Sequence, residues 1–179
     1  MARIIRVLSW PAVSAPYRIR LATPDDAAAI CRIYNQGIED RVATLETELR
    51  TSDERRACLG SRSPRHPVIV AEAEGAAEIA GWGSLNVYNP RDAYRFVADF
   101  SIYVDRAWRG KRIGDAMLTR LIALAREHGY HKMVLSAFPT NTGGVALYEK
   151  HGFRTVGIYK EQGMLDGAWV DTIIMEKLL

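Results

Sequence analysis

The sequence predicts an α/β domain built on one mixed sheet flanked by helices. Two observations carry this reading. Apolar residues recur at every second position in some stretches and at helical spacing in others, in the order βααβββαβαββ. The 179 residues contain no internal repeat and no low-complexity linker, so one domain with one sizeable core accommodates them.

The elements follow from local signals. "YRIRLAT" (Tyr17 to Thr23) alternates as a strand. A helix follows, with Thr23 as N-cap, Pro24 in the first turn, and Asp25 and Asp26 at the positive end of the dipole. Ile30, Ile33, Tyr34 and Ile38 mark its buried face. The loop "VATLETEL" leads to a second helix near Thr51 to Leu59, capped by Thr51 or Ser52 and broken by "SRSPRHP". Val68 to Ala73 and Glu78 to Val87 read as a hairpin turning at Glu74 and Gly75. After the polar loop "NPRDAYR", the strand "VADFSIYV" (Val97 to Val104) gives way to a helix from Ile113. A strand at Lys132 to Ala137 precedes a helix from Thr142 to Lys150, capped by Asn141 and closed by Gly152. Two strands, "RTVGIYKEQG" and "AWVDTIIMEKLL", complete the chain through a turn at Asp166 and Gly167.

Composition excludes several classes. The formal charge of +3 comes from 24 Lys and Arg interspersed with 21 Asp and Glu, not from a basic stripe, which argues against nucleic acid as a partner. No apolar run approaches the roughly 20 residues a membrane span needs. Cys31 and Cys58 have no metal-ligand spacing and read as reduced packing residues, which points to a cytoplasmic protein. The leader "MARIIRVLSWPAVSAP" places Arg3 and Arg6 before an apolar stretch that Ser9 and Pro11 cut short. It is read as a flexible extension over residues 1–16, or as residues added by an upstream start codon, ahead of a domain at 17–179.

The segment "RGKRIG" (Arg109 to Gly114) lies where a strand feeds a helix, so its backbone N–H groups could cradle an anion, with Arg109, Lys111 and Arg112 adding charge. A basic surface loop is the plainer reading. A Walker loop is excluded because GxxxxGK followed by Ser or Thr is absent, and a dinucleotide fingerprint because GxGxxG is absent.

This segment is similar to the acetyl-CoA pyrophosphate loop of the GNAT N-acetyltransferase superfamily, whose pattern is Gln or Arg, two residues, Gly, one residue, then Gly or Ala. Arg109 and Gly114 match its ends. Arg112 stands where the pattern has its central glycine, which argues against a positive φ there; the amide cradle survives if that position is already helical, with Arg112 either an extra phosphate contact or only a substitution that a helical backbone tolerates. "NTGGVALYEKHGF" (Asn141 to Phe153) resembles the family's late motif. Asn141 starts a helix and Tyr148 follows seven residues later, so two turns bring both to one side. A core tyrosine is the alternative for Tyr148.

The resemblance implies a GNAT fold, with a mostly antiparallel sheet of about seven strands and about four helices, and acetyl-CoA as cosubstrate. The cofactor-binding residues it implies are Ile102, Tyr103, Val104, Arg109, Gly110, Lys111, Arg112, Ile113, Gly114 and Asn141. It also implies that Tyr148 protonates the departing thiolate and that the chain forms a homodimer.

Within the superfamily the chain resembles the phosphinothricin, methionine sulfoximine and arsinothricin N-acetyltransferases. "IYNQGIED", "VATLETEL", "NPRDAYRFVADFSIYV" and "LDGAWVDTIIMEK" carry that likeness. The family's strand carries a Glu as general base, and Asp99 takes that position, one methylene shorter. Asp99 therefore acts through water or sits nearer the amine, unless it only pairs with Arg91 or Arg95. Arg91, Tyr94, Phe100 and Ser101 are the implied acceptor-binding residues, with Arg91 on the acceptor's acidic end. Tyr94 and Trp169 wall the pocket or fill the core. The spacing gives no metal site, and none of His66, His128, His131 and His151 is placed as a base. The expected activity is direct acetyl transfer in a ternary complex to a small amino-acid-like amine, with backbone N–H groups of the Asp99 strand holding the oxyanion. Acetylation of a protein or peptide N-terminus, and a non-catalytic acetyl-CoA sensor, are the alternatives.

Overall fold

In the computed structural model of the protein, which describes residues 17–75 and 78–179, seven strands form a single sheet. They are β1 (Tyr17–Leu21), β2 (Val68–Ala73), β3 (Ile79–Val87), β4 (Val97–Val104), β5 (Lys132–Ala137), β6 (Arg154–Leu165) and β7 (Ala168–Leu178). Four α-helices flank it: α1 (Ala27–Glu39), α2 (Ser52–Ser61), α3 (Ile113–Glu127) and α4 (Thr142–Lys150). The strand order is β1-β2-β3-β4-β5-β7-β6, and every neighbouring pair is antiparallel except β4 with β5. The expected extension over residues 1–16 lies outside the described residues.

Helix starts follow the local chemistry. Thr23 precedes a 3-10 turn over Pro24–Asp26, and its N–H donates to Asp26 Oδ2 at 2.7 Å before α1 begins. At α2, Thr51 is the cap. Its hydroxyl accepts from Glu54 N and its own N–H donates to the Glu54 carboxylate, two otherwise orphan donors satisfied together. Cys31 is buried as expected, with Sγ 3.0 Å from the Arg50 carbonyl. Cys58 is not a packing residue: it is exposed, because α2 buries none of its side chains.

The sheet separates two apolar clusters. On one face α1 sets Ile30, Ile33, Tyr34 and Ile38 against Val68, Val70 and Trp82. On the other, α3 sets Ile113, Met117, Leu118 and Leu121 against Ile69, Leu85, Ala98 and Phe100. Gly83 on β3 permits this closeness: a Cβ there would stand 2.9 Å from the Ser101 carbonyl oxygen and 3.1 Å from the Leu121 side chain. Tyr94 and Trp169 fill no core, being 37% and 59% exposed. Among the described residues no helix is long and apolar enough to cross a membrane.

The parallel β4–β5 pairing is short, and it shapes the site. Val97, Ala98 and Asp99 pair with Lys132, Met133 and Val134, and the ladder then stops. The Asp105 N–H donates to the Ala80 carbonyl on β3, while the Phe96 carbonyl accepts from His131 just before β5. Strand alternation therefore turns the backbone groups of Phe100, Ile102 and Val104 toward β5, beyond the last paired residue. The result is an open strand edge starting at Asp99.

Candidate active site

A cleft of about 560 Å³ runs along that edge. Ile102, Tyr103 and Val104 line it from β4, and Arg109, Gly110, Arg112, Ile113 and Gly114 from the loop entering α3. Asn141, Leu147 and Tyr148 close it from α4, and Ile33, Gly37, Val42 and Ala43 from α1 and its following loop. Unpaired strand edge, helix N-terminus and basic loop suit a long ligand with an amide-bearing arm and an anionic end. Trp108, Leu147 and the α1 residues gave no sequence signal, since their membership depends on packing alone.

The entrance loop is organised differently from the sequence expectation. Arg112 is the N-cap of α3 with φ 62° and ψ 13°, a left-handed conformation. The argument against a positive φ at this position is thus incorrect: the chain keeps a left-handed turn here despite a Cβ. Arg109 lines the cleft, but its guanidinium donates to Asp40 at 2.6 Å and to the Val104 carbonyl at 3.3 Å. Lys111 does not line the cleft; its ammonium stands 4.4 Å above the Trp108 ring. Asp40, at the end of α1, is held below the ordinary carboxylate range by hydrogen bonds from Arg106 and then Arg109.

Asn141 caps α4 through Oδ1, which accepts from Gly144 N at 3.0 Å, so the side-chain oxygen is engaged. Tyr148 is partly covered, and its ring stands edge-on to Phe100 with centroids 5.7 Å apart. Burial pushes its phenol up to about 12, with the charge of Asp99 adding to the shift, so it remains a proton donor at neutral pH.

Asp99 sits where the β4–β5 ladder ends. Burial pushes its carboxyl up to about 6, against the opposing pull of the Phe100 N–H, which donates to Oδ1 at 2.5 Å. It forms no ion pair among the described residues; Arg95 is paired instead with Asp92 at 2.6 Å. A half-buried, singly bonded carboxylate beside a tyrosine is suited to taking a proton near neutral pH. Ser101 lies on the same strand, its hydroxyl accepting from Asn86 at 3.1 Å.

Arg91 and Tyr94 are not brought into the main cleft. They line a second one of about 380 Å³ at the opposite end of β4, with Arg65, His66, Arg95 and Val97. The two clefts share no lining residue, although Val97 is only two positions from Asp99.

Comparison with known proteins adds to this geometry. The profile of the Acetyltransferase (GNAT) family matches residues 28–153. The L-methionine sulfoximine/L-methionine sulfone acetyltransferase of Salmonella typhimurium is 31% identical over 159 residues, covering 88% of this chain and 92% of the relative. A phosphinothricin acetyltransferase from Sinorhizobium meliloti, solved with acetyl-CoA, superposes with a TM-score of 0.86 at 28% identity, covering 92% of this chain and 89% of that one. The ribosomal-protein-alanine N-acetyltransferase of Brucella melitensis gives a TM-score of 0.86 at 33% identity, covering 90% of this chain and 99% of that one.

Proposed function

This chain belongs to the GNAT acetyltransferase family and uses acetyl-CoA, and from that premise we propose that it acetylates the primary amine of a small amino-acid-like acceptor of the phosphinothricin, methionine sulfoximine or arsinothricin type. The observation that carries this reading is Asp99, half-buried and without an ion-pair partner among the described residues where the open edge begins, with Tyr148 close by on the cleft. The catalytic domain is residues 17–179.

Acetyl-CoA supplies an activated thioester when bound. Its pyrophosphate would meet the amides from Arg109 to Gly114, and its pantetheine arm the strand edge of Ile102, Tyr103 and Val104 together with Asn141. The chain's own residues then manage protons. An aliphatic amine is mostly protonated at neutral pH, so Asp99 takes its proton, directly or through water, before the nitrogen can attack. Backbone N–H groups of β4 face the position where negative charge develops on the carbonyl oxygen. Tyr148 gives its proton to the departing sulfur. Both substrates are bound together and no covalent enzyme intermediate forms.

The acceptor end is covered. Leu45 of the α1–α2 loop packs where a Cβ on Gly163 would stand 2.8 Å away, and Arg41 pairs with Asp166 at 3.0 Å, tying that loop to the β6–β7 hairpin. A covered site favours a small acceptor, whose acidic end Arg91 meets from the basic cleft reaching Val97, with Tyr94, Phe100 and Ser101 around it. A homodimer through β6 and β7 belongs to the same proposal, because Val156, Ile158, Tyr159, Met164 and Trp169 are between 46% and 59% exposed on that hairpin. So do a cytoplasmic location and a role in resistance to amino-acid-analogue toxins.

The likeness to the Brucella enzyme supports a second reading, acetylation of a protein or peptide N-terminus. Thiol release from acetyl-CoA, measured across phosphinothricin-type amino acids and short peptides, separates the two. Turnover on the amino acids is expected, and turnover on peptides alone overturns the small-acceptor reading. Acetyl-CoA binding with no thiol release on any amine would leave a non-catalytic sensor.

A further inference from the structure

The left-handed residue at the mouth of the cleft raises a question of support. Glycine adopts φ 62° without steric conflict, whereas an arginine there sets its Cβ against the following carbonyl. Arg112 nevertheless holds this conformation as the N-cap of α3. Its carbonyl is doubly engaged: it accepts from Ala116 N at 3.2 Å, within the helix, and from the Tyr17 hydroxyl at 3.2 Å. Tyr17 opens β1, lies 95 positions earlier in the chain, and is 9% exposed. Burial, followed by the nearby charge of Asp115, pushes its phenol upward, so it stays a donor.

The loop's charges show what the arginine contributes. Arg109 is engaged by Asp40, and Lys111 lies over Trp108. Among the described residues, Arg112 is the cation of this loop with neither a carboxylate nor a ring against its side chain, and it lines the cleft. A glycine would ease the turn and remove that guanidinium.

We infer that Tyr17 is a positioning residue for the cofactor loop. Its hydroxyl holds the Arg112 carbonyl, so that the loop keeps a left-handed arginine and presents its guanidinium to a phosphate group of acetyl-CoA. The inference rests on the acetyl-CoA reading of the cleft. It concerns a position at which this chain departs from the family's glycine pattern.

The test is a set of variants titrated with acetyl-CoA by calorimetry and followed by thermal unfolding without ligand. Tyr17→Phe is expected to weaken binding about tenfold while kcat at saturation stays within about twofold. In the Arg112→Gly background the same change alters affinity by less than about twofold, because glycine needs no support. In the Arg112→Ala background, where a Cβ remains without the charge, the Tyr17→Phe loss persists. Both Arg112 variants show a shallower dependence of affinity on salt than the wild type. An equal Tyr17→Phe loss in wild-type and Arg112→Gly proteins overturns the inference, as does no loss in either. A purely structural tyrosine would lower the unfolding temperature equally in both backgrounds without this pattern in affinity. Failure of the wild type itself to bind acetyl-CoA would instead sink the reading of the cleft.

Discussion

The Phe100 amide donates to Asp99 Oδ1 at 2.5 Å, while the Phe100 ring stands edge-on to Tyr148 at 5.7 Å between centroids. One residue thus links the candidate base and the candidate acid by its backbone and its ring. Asp99 occupies the last rung of the β4–β5 ladder, where the paired sheet gives way to the open edge of β4. That position explains its raised pKa, since burial opposes ionisation and one amide bond only partly offsets it.

The first prediction concerns pH. A base must be ionised, so kcat/KM is expected to rise with pH through about 6, the value to which burial pushes Asp99, and then to level off. Asp99→Asn should abolish that limb and reduce kcat by about 10²-fold or more. Steady-state kinetics from pH 5 to 9 check this, and a profile flat across that limb in the wild type would remove Asp99 as the base.

Stability should move in the opposite direction. The folded pKa of Asp99 lies above its ordinary value of 3.8, so its contribution is fully present below about pH 4 and is lost as pH rises through about 6. Asparagine never ionises and escapes that loss. Asp99→Asn is therefore expected to be more stable than wild type at pH 7.5, by on the order of 2 to 3 kcal/mol, with the gap closing below about pH 4. Urea unfolding at the two pH values measures it.

Tyr148→Phe removes the candidate proton donor and leaves the ring packing against Phe100 in place. We expect kcat to fall about 10²-fold with little change in the KM for acetyl-CoA. Because its phenol is pushed up to about 12, the wild-type profile should show no falling limb from this residue below about pH 10.

Asn141 has two separable tasks. Its oxygen caps α4 and the residue lines the cleft, so under the proposed function Asn141→Ala should cost about 1 kcal/mol in stability and also raise the KM for acetyl-CoA. Asn141→Ser retains a capping oxygen and should recover most of the stability while leaving KM raised. Full recovery of KM by serine would reduce Asn141 to a cap.

At Gly83 the prediction is steric. A methyl group there meets the backbone oxygen of Ser101 at 2.9 Å, which cannot swing away as a side chain can. Gly83→Ala is expected to destabilise the protein by about 1 to 3 kcal/mol and to lower activity, because the displaced strand carries Asp99. Thermal unfolding and kinetics on the same preparation read both effects.

The seven strands and four helices were legible from local chemistry. The cap at Thr51, Asn141 with its helix, and the alternation of β4 declare themselves within a few residues, and the structure differs mainly at element ends. The pairing of Asn141 with Tyr148 was equally legible, since helix periodicity places them on one side. Arg91 and Tyr94 were harder: their chemistry suited an acceptor, but which cleft they line depends on how the end of β4 packs.

By itself, then, the sequence determined the order of elements, the family and the residues able to carry acid, base and anion-binding chemistry. The surroundings of those residues come from contacts far apart in the chain. Asp40 neutralises Arg109 from 69 positions away, and Tyr17 holds the Arg112 carbonyl from 95. The physical reason is one of range. Periodicity, caps and turn chemistry act within a few residues, whereas the charge state, backbone conformation and exposure of a site residue depend on whichever distant group folding brings against it.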